Sequence, residues 1–147
     1  MILKEDSSEQ KLRGAYYTPL KLAKKMVDFF KDDLSIKSIL EPSCGDGVFV
    51  DALLESQFLS QHKRVTAIEI EKKEAEKLSE KLKDNSNIDV VNGDFFEFYH
   101  KHKDMDTYDL ILGNPPYIRY QYLEEKQRSE MAEILTSHGM KANKLIN

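Results

Sequence analysis

Apolar positions along the chain follow two periods. Leu20, Ala23, Met26, Val27 and Phe30 recur at helical spacing with lysines between them. Val48, Phe49, Ala52, Leu53 and Leu54 do the same over 48–57. A third helix is predicted over 72–82, where Ala75, Leu78 and Leu82 share one side and lysine and glutamate fill the other. Between these lie apolar runs too short for helices, at 37–40, 65–70, 88–91 and 107–112, and each predicts a strand. Phe98 and Tyr99 fit helix packing after the third strand. A charged helix is predicted over 120–136, with Leu123, Met131, Ile134 and Leu135 as its buried positions and His138-Gly139 as its stop. Residues 141–147 begin a further element. The polar stretch 1–14 reads as a flexible arm or a short helix, with the boundary of the folded part set after residue 13. Strands alternating with helices predict an α/β fold built from crossover units.

Composition narrows the class. The 147 residues suit one domain, and 40% of them are hydrophobic, enough for a core. The net charge of −4 argues against this segment alone gripping nucleic acid, because phosphate contacts supply most non-specific affinity. The single cysteine, Cys44, rules out an internal disulfide and suits a reducing, cytoplasmic setting. Charge within four residues of Met1 leaves no signal peptide, and no apolar run reaches membrane-spanning length. His100 and His102 are two apart and cannot share a helix face, and His62 and His138 stand alone, so no metal site is expected.

The breaks between elements carry the chemistry. Thr18 precedes Pro19 at the start of the first helix, as a cap precedes a first-turn proline. Glu41-Pro42-Ser43-Cys44-Gly45-Asp46-Gly47 follows the first strand and opens the second helix. Its glycines allow a tight turn and close approach of a ligand. Its acids are unsuited to a pyrophosphate but suit a ligand with a cationic part, such as the amino group or sulfonium of S-adenosylmethionine. Glu69 ends the second strand about two dozen residues later, the spacing at which an acid accepts from ribose hydroxyls, with Glu71 as the alternative. After the third strand, Asp94 can accept from an adenine amino group while Phe95 or Phe96 packs on the purine.

The fourth strand runs into Gly113-Asn114-Pro115-Pro116-Tyr117. Each proline fixes its own φ and holds the residue before it extended. The loop therefore presents one amide, one backbone carbonyl and one ring in set directions. The Asn114 side-chain oxygen and the Pro115 carbonyl can accept both N–H bonds of an exocyclic amine, and Tyr117 can stack on the ring that carries it. Two such acceptors expose the nitrogen lone pair to an electrophilic methyl group.

Four signals thus occur in a fixed order: Gly14-Ala15-Tyr16-Tyr17-Thr18-Pro19, the Glu41–Gly47 turn, Glu69, and Gly93-Asp94-Phe95 with Asn114-Pro115-Pro116-Tyr117. Together they resemble the gamma-class N6-adenine DNA methyltransferases of restriction–modification systems, from about Gly14 to Arg119. Similar Asn-Pro-Pro-Tyr loops occur in methyltransferases acting on RNA and on protein glutamine. The Tyr-Thr-Pro stretch favours the DNA enzymes. The resemblance implies a Rossmann-like, S-adenosylmethionine-dependent methyltransferase fold. It implies that Tyr17 and Thr18 contact the methionine part of the cofactor and that Glu41, Ser43 and Gly45 form the turn on that side. Glu69 would bind the ribose, Ile70 would lie against the adenine, and Asp94 with Phe95 would hold the adenine amino group. Asn114, Pro115, Pro116 and Tyr117 would hold the target base of double-stranded DNA.

The resemblance also implies what residues 14–147 lack. Family members complete a seven-stranded sheet, add a second aromatic for the base and carry a separate target-recognition domain. The expectation is therefore a fold truncated after the fourth strand, either an expressed piece of a longer enzyme or a natural fragment. The fourth strand would lie at a sheet edge, open to self-association or to pairing with another chain. A cofactor-binding module without independent catalysis is the alternative reading.

Overall fold

The computed structural model describes residues 18–59, 62–117 and 123–141. They fall into two compact units, one of the described residues up to Pro115 and one of those from Pro116 on.

In the first unit, α1 (Leu20–Asp28) leads to β1 (Ser38–Glu41), α2 (Val48–Glu55), β2 (Arg64–Glu69), α3 (Lys72–Leu82), β3 (Ile88–Asn92), α4 (Phe95–His102) and β4 (Leu110–Ile111). All strand pairs are parallel, in the order β3-β2-β1-β4. Parallel neighbours cannot be joined by tight turns, so each connection is a crossover. Chain order runs outward from β1 to β2 and β3, then returns to place β4 on the other side of β1. The junction between β1 and β4 is thus the topological switch point, where ligands of open α/β sheets bind beyond the carboxyl ends of the strands. β4 lies at the edge, in the position anticipated for the fourth strand.

Two apolar clusters hold the sheet. Ala23 and Val27 of α1 meet Phe49, Ala52 and Leu53 of α2, together with Ile39, Val65 and Leu110 from the strands. Val50 of α2 joins Ala67, Leu78, Leu82 and Cys44. Ile39 and Leu53 are fully buried, and truncating side chains so placed costs about 2–5 kcal/mol each. Lys81 of α3 pairs with Asp51 of α2 at 2.7 Å.

β4 is shorter than its apolar run. Asp109 ends the ladder by turning its carboxylate onto the backbone N–H groups of Lys37 and Ser38 at 2.8 and 2.9 Å and the Ser38 hydroxyl at 2.9 Å. Those donors hold the Asp109 carboxyl below its usual range. The start of α1 also differs from expectation. Pro19, with ψ 133°, is the N-cap, and no side chain caps the helix. Thr18 therefore stands one residue too early to reach the first-turn amides.

In the second unit the described residues form α5 (Glu125–Ser137), closed at its start by a reciprocal capping box between Glu124 and Gln127. It ends at His138, with Gly139 at φ 73°. Leu123, Met131, Ile134 and Leu135 are half-buried rather than buried, since no other described element of that unit covers them. Residues 120–122 and the element expected to begin at 141 lie largely outside the described residues. No described helix is long and apolar enough to cross a membrane.

Candidate active site

The turn after β1 is built on two left-handed glycines, Gly45 at φ 54° and Gly47 at φ 82°. A Cβ on Gly47 would overlap Leu78 of α3, so this glycine also lets α2 approach α3. A Cβ on Gly45 would meet nothing, which leaves open space above that residue. The turn is fastened to β2 by two bonds, from the Cys44 N–H to the Ile68 carbonyl at 2.8 Å and from the Gly45 N–H to Glu69 Oε2 at 2.7 Å.

Glu69 therefore does more than end a strand. Its other oxygen, Oε1, accepts from the Glu71 N–H at 2.7 Å, so one carboxylate orders the glycine turn and the start of the next segment. Its backbone carbonyl accepts from the Gly93 N–H at 3.0 Å and from the Asn92 side chain at 2.8 Å; the same Asn92 amide reaches the Ile70 carbonyl at 3.1 Å. Asn92 was not singled out from the sequence as a site residue. Its only signal there was an Asn-Gly pair at a strand end. These bonds join the turn after β1 to the ends of β2 and β3. Ile70 is 61% exposed at this rim. Asp94 caps α4, with Oδ1 accepting from the Phe96 and Glu97 N–H groups, and half-buried Phe95 opens that helix beside Phe96.

Glu41 is the unusual group. It is 2% exposed, and its Oε2 has no hydrogen-bond partner among the described residues; nor does the buried Ser43 hydroxyl. Burial pushes the Glu41 carboxyl well up, and the charges of Asp46, Asp51 and Glu69 push it further. An acid so placed lacks a cation. Cys44 is also buried, and burial with the charges of Glu41 and Glu69 drives its thiol far above the usual range, the opposite of what a thiolate nucleophile needs.

The loop after β4 lies beside this turn. The Leu112 N–H donates to the Leu40 carbonyl at 2.9 Å, and a Cβ on Gly113 would touch Pro42 Cδ at 3.4 Å and Glu41 Cγ at 3.7 Å. Asn114 is half-buried and not turned into the core, and its Nδ2 donates to Thr18 Oγ1 at 3.2 Å. Thr18, Glu41, Ser43, Gly45, Glu69, Asp94 and Asn114 thus stand at or beside the carboxyl edge of one sheet. Pro115 ends the first unit. Pro116 and Tyr117, the latter 70% exposed, belong to the second. Tyr17 lies outside the described residues. No group of three metal-binding side chains occurs among the described residues.

Residues 14–145 match the family model of the Eco57I restriction-modification methylases. The chain belongs to that family. The chain is similar to the Type II methyltransferase M.HincII of Haemophilus influenzae, at 32% identity over 87% of this chain and 22% of that protein. The chain thus spans about a fifth of the length of the curated relatives it matches. The fold is likewise that of known methyltransferases. A type I restriction-modification methyltransferase subunit from Streptococcus thermophilus superposes with a TM-score of 0.57 at 19% identity, over 69% of this chain and 23% of that one. An O-methyltransferase from Bacillus cereus, solved in complex with SAH, does so with a TM-score of 0.57 at 17% identity, over 76% and 51%.

Proposed function

We propose that this chain forms the cofactor-binding and catalytic core of a DNA adenine N6-methyltransferase. The observation that carries the reading is the apposition, at the switch point between β1 and β4, of the Glu41–Gly47 turn and the Asn114-Pro115 loop, with Gly113 so near Pro42 that a Cβ there would touch its ring. S-adenosylmethionine would supply a methyl group made electrophilic by the adjacent sulfonium. Glu41, with its unpartnered oxygen, and Ser43 suit the amino-acid end of that molecule, whose ammonium is the cation the buried acid lacks. Thr18 and Gly45 would serve the same end, as would Tyr17 by the resemblance. Glu69 and Ile70 would face the ribose and adenine, and Asp94 and Phe95 the adenine amino edge.

On the target side, Asn114 Oδ1 and the Pro115 carbonyl would accept the two N–H bonds of the base amine, leaving its lone pair to attack the methyl carbon as the carbon–sulfur bond breaks. The proton released from nitrogen passes to solvent after transfer. No covalent enzyme intermediate is needed, in keeping with the inert Cys44. The base must leave the duplex to reach such a site, at a cost of a few kcal/mol. Stacking of a base on an aromatic ring, the role that the resemblance gives Tyr117, is worth of the order of 1–3 kcal/mol.

Double-stranded DNA is the proposed partner, gripped mainly by regions that the relatives carry outside the matched part, since the relative at 32% identity is about four times as long. That ratio also favours a second reading, in which this chain is the cofactor-binding part of a methyltransferase that turns over only with further polypeptide. The β4 edge, where Ile111 is 65% exposed, is the place for added strands to pair.

Asn114→Ala tests the reading. In the active enzyme containing this chain it should cut methyl transfer to adenine by about 10²-fold or more, as loss of a transition-state hydrogen-bond partner does, and leave calorimetric affinity for S-adenosylmethionine intact. Normal turnover, or equal loss of both quantities, would overturn it. Offering DNA, RNA and protein with labelled cofactor separates the substrate classes.

A further inference from the structure

Resting on that reading, we infer that Thr18 positions Asn114, its hydroxyl fixing which end of the side-chain amide faces the target amine. A carboxamide has two ends of nearly equal size and opposite hydrogen-bonding sense, an acceptor oxygen and a donor NH2. Only the oxygen can receive a base amine; a flipped amide would set donor against donor. Something must break this near-symmetry. Among the described residues the group placed to do so is Thr18 Oγ1, which takes the Nδ2 hydrogen at 3.2 Å across 96 residues of sequence; because a hydroxyl can also donate, it selects this end of the amide once its own hydrogen is engaged elsewhere.

Both partners are held to make this bond. Thr18 precedes Pro19 and Asn114 precedes Pro115, so each backbone is confined to the extended region. Thr18 is further fixed by α1, whose Ala23 and Val27 are buried in the core and whose Lys24 pairs with Glu55 of α2 at 3.2 Å. Asn114 is fixed by β4, whose last bond runs from the Leu112 N–H to the Leu40 carbonyl at 2.9 Å. The Thr18 hydroxyl is not spent on the helix start, because α1 has no side-chain cap. While its oxygen accepts from Asn114, its own hydrogen remains free to donate, and a carboxylate at the amino-acid end of the cofactor is the acceptor the proposed site would bring. One hydroxyl would then connect the two halves of the site.

The test compares Thr18→Val, which keeps the shape and removes the acceptor, with Thr18→Ser, which keeps the acceptor. At saturating S-adenosylmethionine, Thr18→Val should lower kcat about ten- to a hundred-fold, the scale of a misplaced reacting group, and Thr18→Ser should recover most of it. In the cofactor-free chain, the side-chain NH2 resonances of Asn114, assigned by their loss in Asn114→Ala, should shift in Thr18→Val and stay in place in Thr18→Ser. Full kcat for Thr18→Val at saturating cofactor, with the defect confined to cofactor affinity, overturns the inference. So do unmoved Asn114 NH2 resonances, which need no activity and only a folded chain. Thr18→Ser serves the same purpose if the valine variant does not fold, since its Asn114 resonances must match the parent's. Normal turnover by Asn114→Ala overturns the function reading instead, and the resonances still decide the bond.

Discussion

Replacing Glu41 by glutamine should have opposite effects on stability and on binding. The carboxyl is buried, its Oε2 has no hydrogen-bond partner among the described residues, and the charges of Asp46, Asp51 and Glu69 act on it with like sign. Its folded-state pKa therefore lies above the unfolded value of about 4.3. A raised acid contributes stability that is fully present below the unfolded pKa and is lost as pH rises through the folded one. Glutamine keeps the shape and cannot ionise, so it removes that loss. The cofactor-free variant should match the parent near pH 4 and exceed it at pH 7.5. The gain is the ionisation cost that glutamine avoids, about 1.4 kcal/mol for each pH unit separating the unfolded and folded titrations, since the amide stays as unpartnered as the acid. At roughly 4 °C of Tm per kcal/mol for a chain of this size, thermal melts at the two pH values resolve it. Cofactor binding should move the other way. Removing one member of a buried charge pair costs about 2–5 kcal/mol, so affinity for S-adenosylmethionine should fall about 30- to 4000-fold by titration calorimetry. A variant less stable than the parent at pH 7.5, or one that binds the cofactor as tightly, would refute the claim that Glu41 awaits a cation.

Glu69→Gln should instead harm both properties, because one of the two 2.7 Å bonds, from the Gly45 or the Glu71 N–H, then faces an NH2 group. The expected loss is about 1.5–3 kcal/mol in urea denaturation, with faster hydrogen exchange at Gly45; unchanged stability would show that the turn holds itself. Asp109→Ala should remove an acid-sensitive pin between β1 and β4. A depressed carboxyl contributes stability present above its unfolded pKa of about 3.9 and lost as pH falls through the folded value, so the variant should melt lower at neutral pH and show a flatter Tm between about pH 4 and 2. Parallel pH profiles would count against it.

The difference between local and long-range signals decides what was legible in the sequence. Runs such as Ile39-Leu40 and Val65–Ile68 could only be buried strands, and α1 to α3 follow their apolar spacing to within a residue or two at either end. Gly45 and Gly47 announced a turn, and both take positive φ. The edge position of the fourth strand followed from resemblance, and no local pattern says that β4 returns beside β1. What local patterns could not give were bonds between distant residues. Thr18 read as a helix cap because capping is the short-range use of a threonine before a proline. Its partner lies 96 positions away. Asp109 sat inside an apolar run and read as strand, yet its carboxylate closes the ladder that the run was expected to extend.

The two acids at the rim show why residue type alone could not assign roles. Glu41 and Glu69 both end strands, both are nearly inaccessible to water, and both stand near the glycine turn. Backbone N–H groups occupy both oxygens of Glu69, so its charge is balanced within the fold and it acts first as scaffold, whatever it later offers a ribose. Glu41 has an oxygen with no such donor, and the repulsion of its neighbours falls on it. A fold selected only for stability would place an apolar or paired side chain there. The cost is localised where a cation would remove it, so ligand binding and folding are linked at this residue: whatever supplies the missing charge stabilises the chain by RT ln(1 + [L]/Kd), about 2.7 kcal/mol at a hundred times Kd. Glu69 gains nothing comparable from a neutral ribose. The acid that looks worst placed for folding is therefore the one whose placement argues most directly for a cationic ligand.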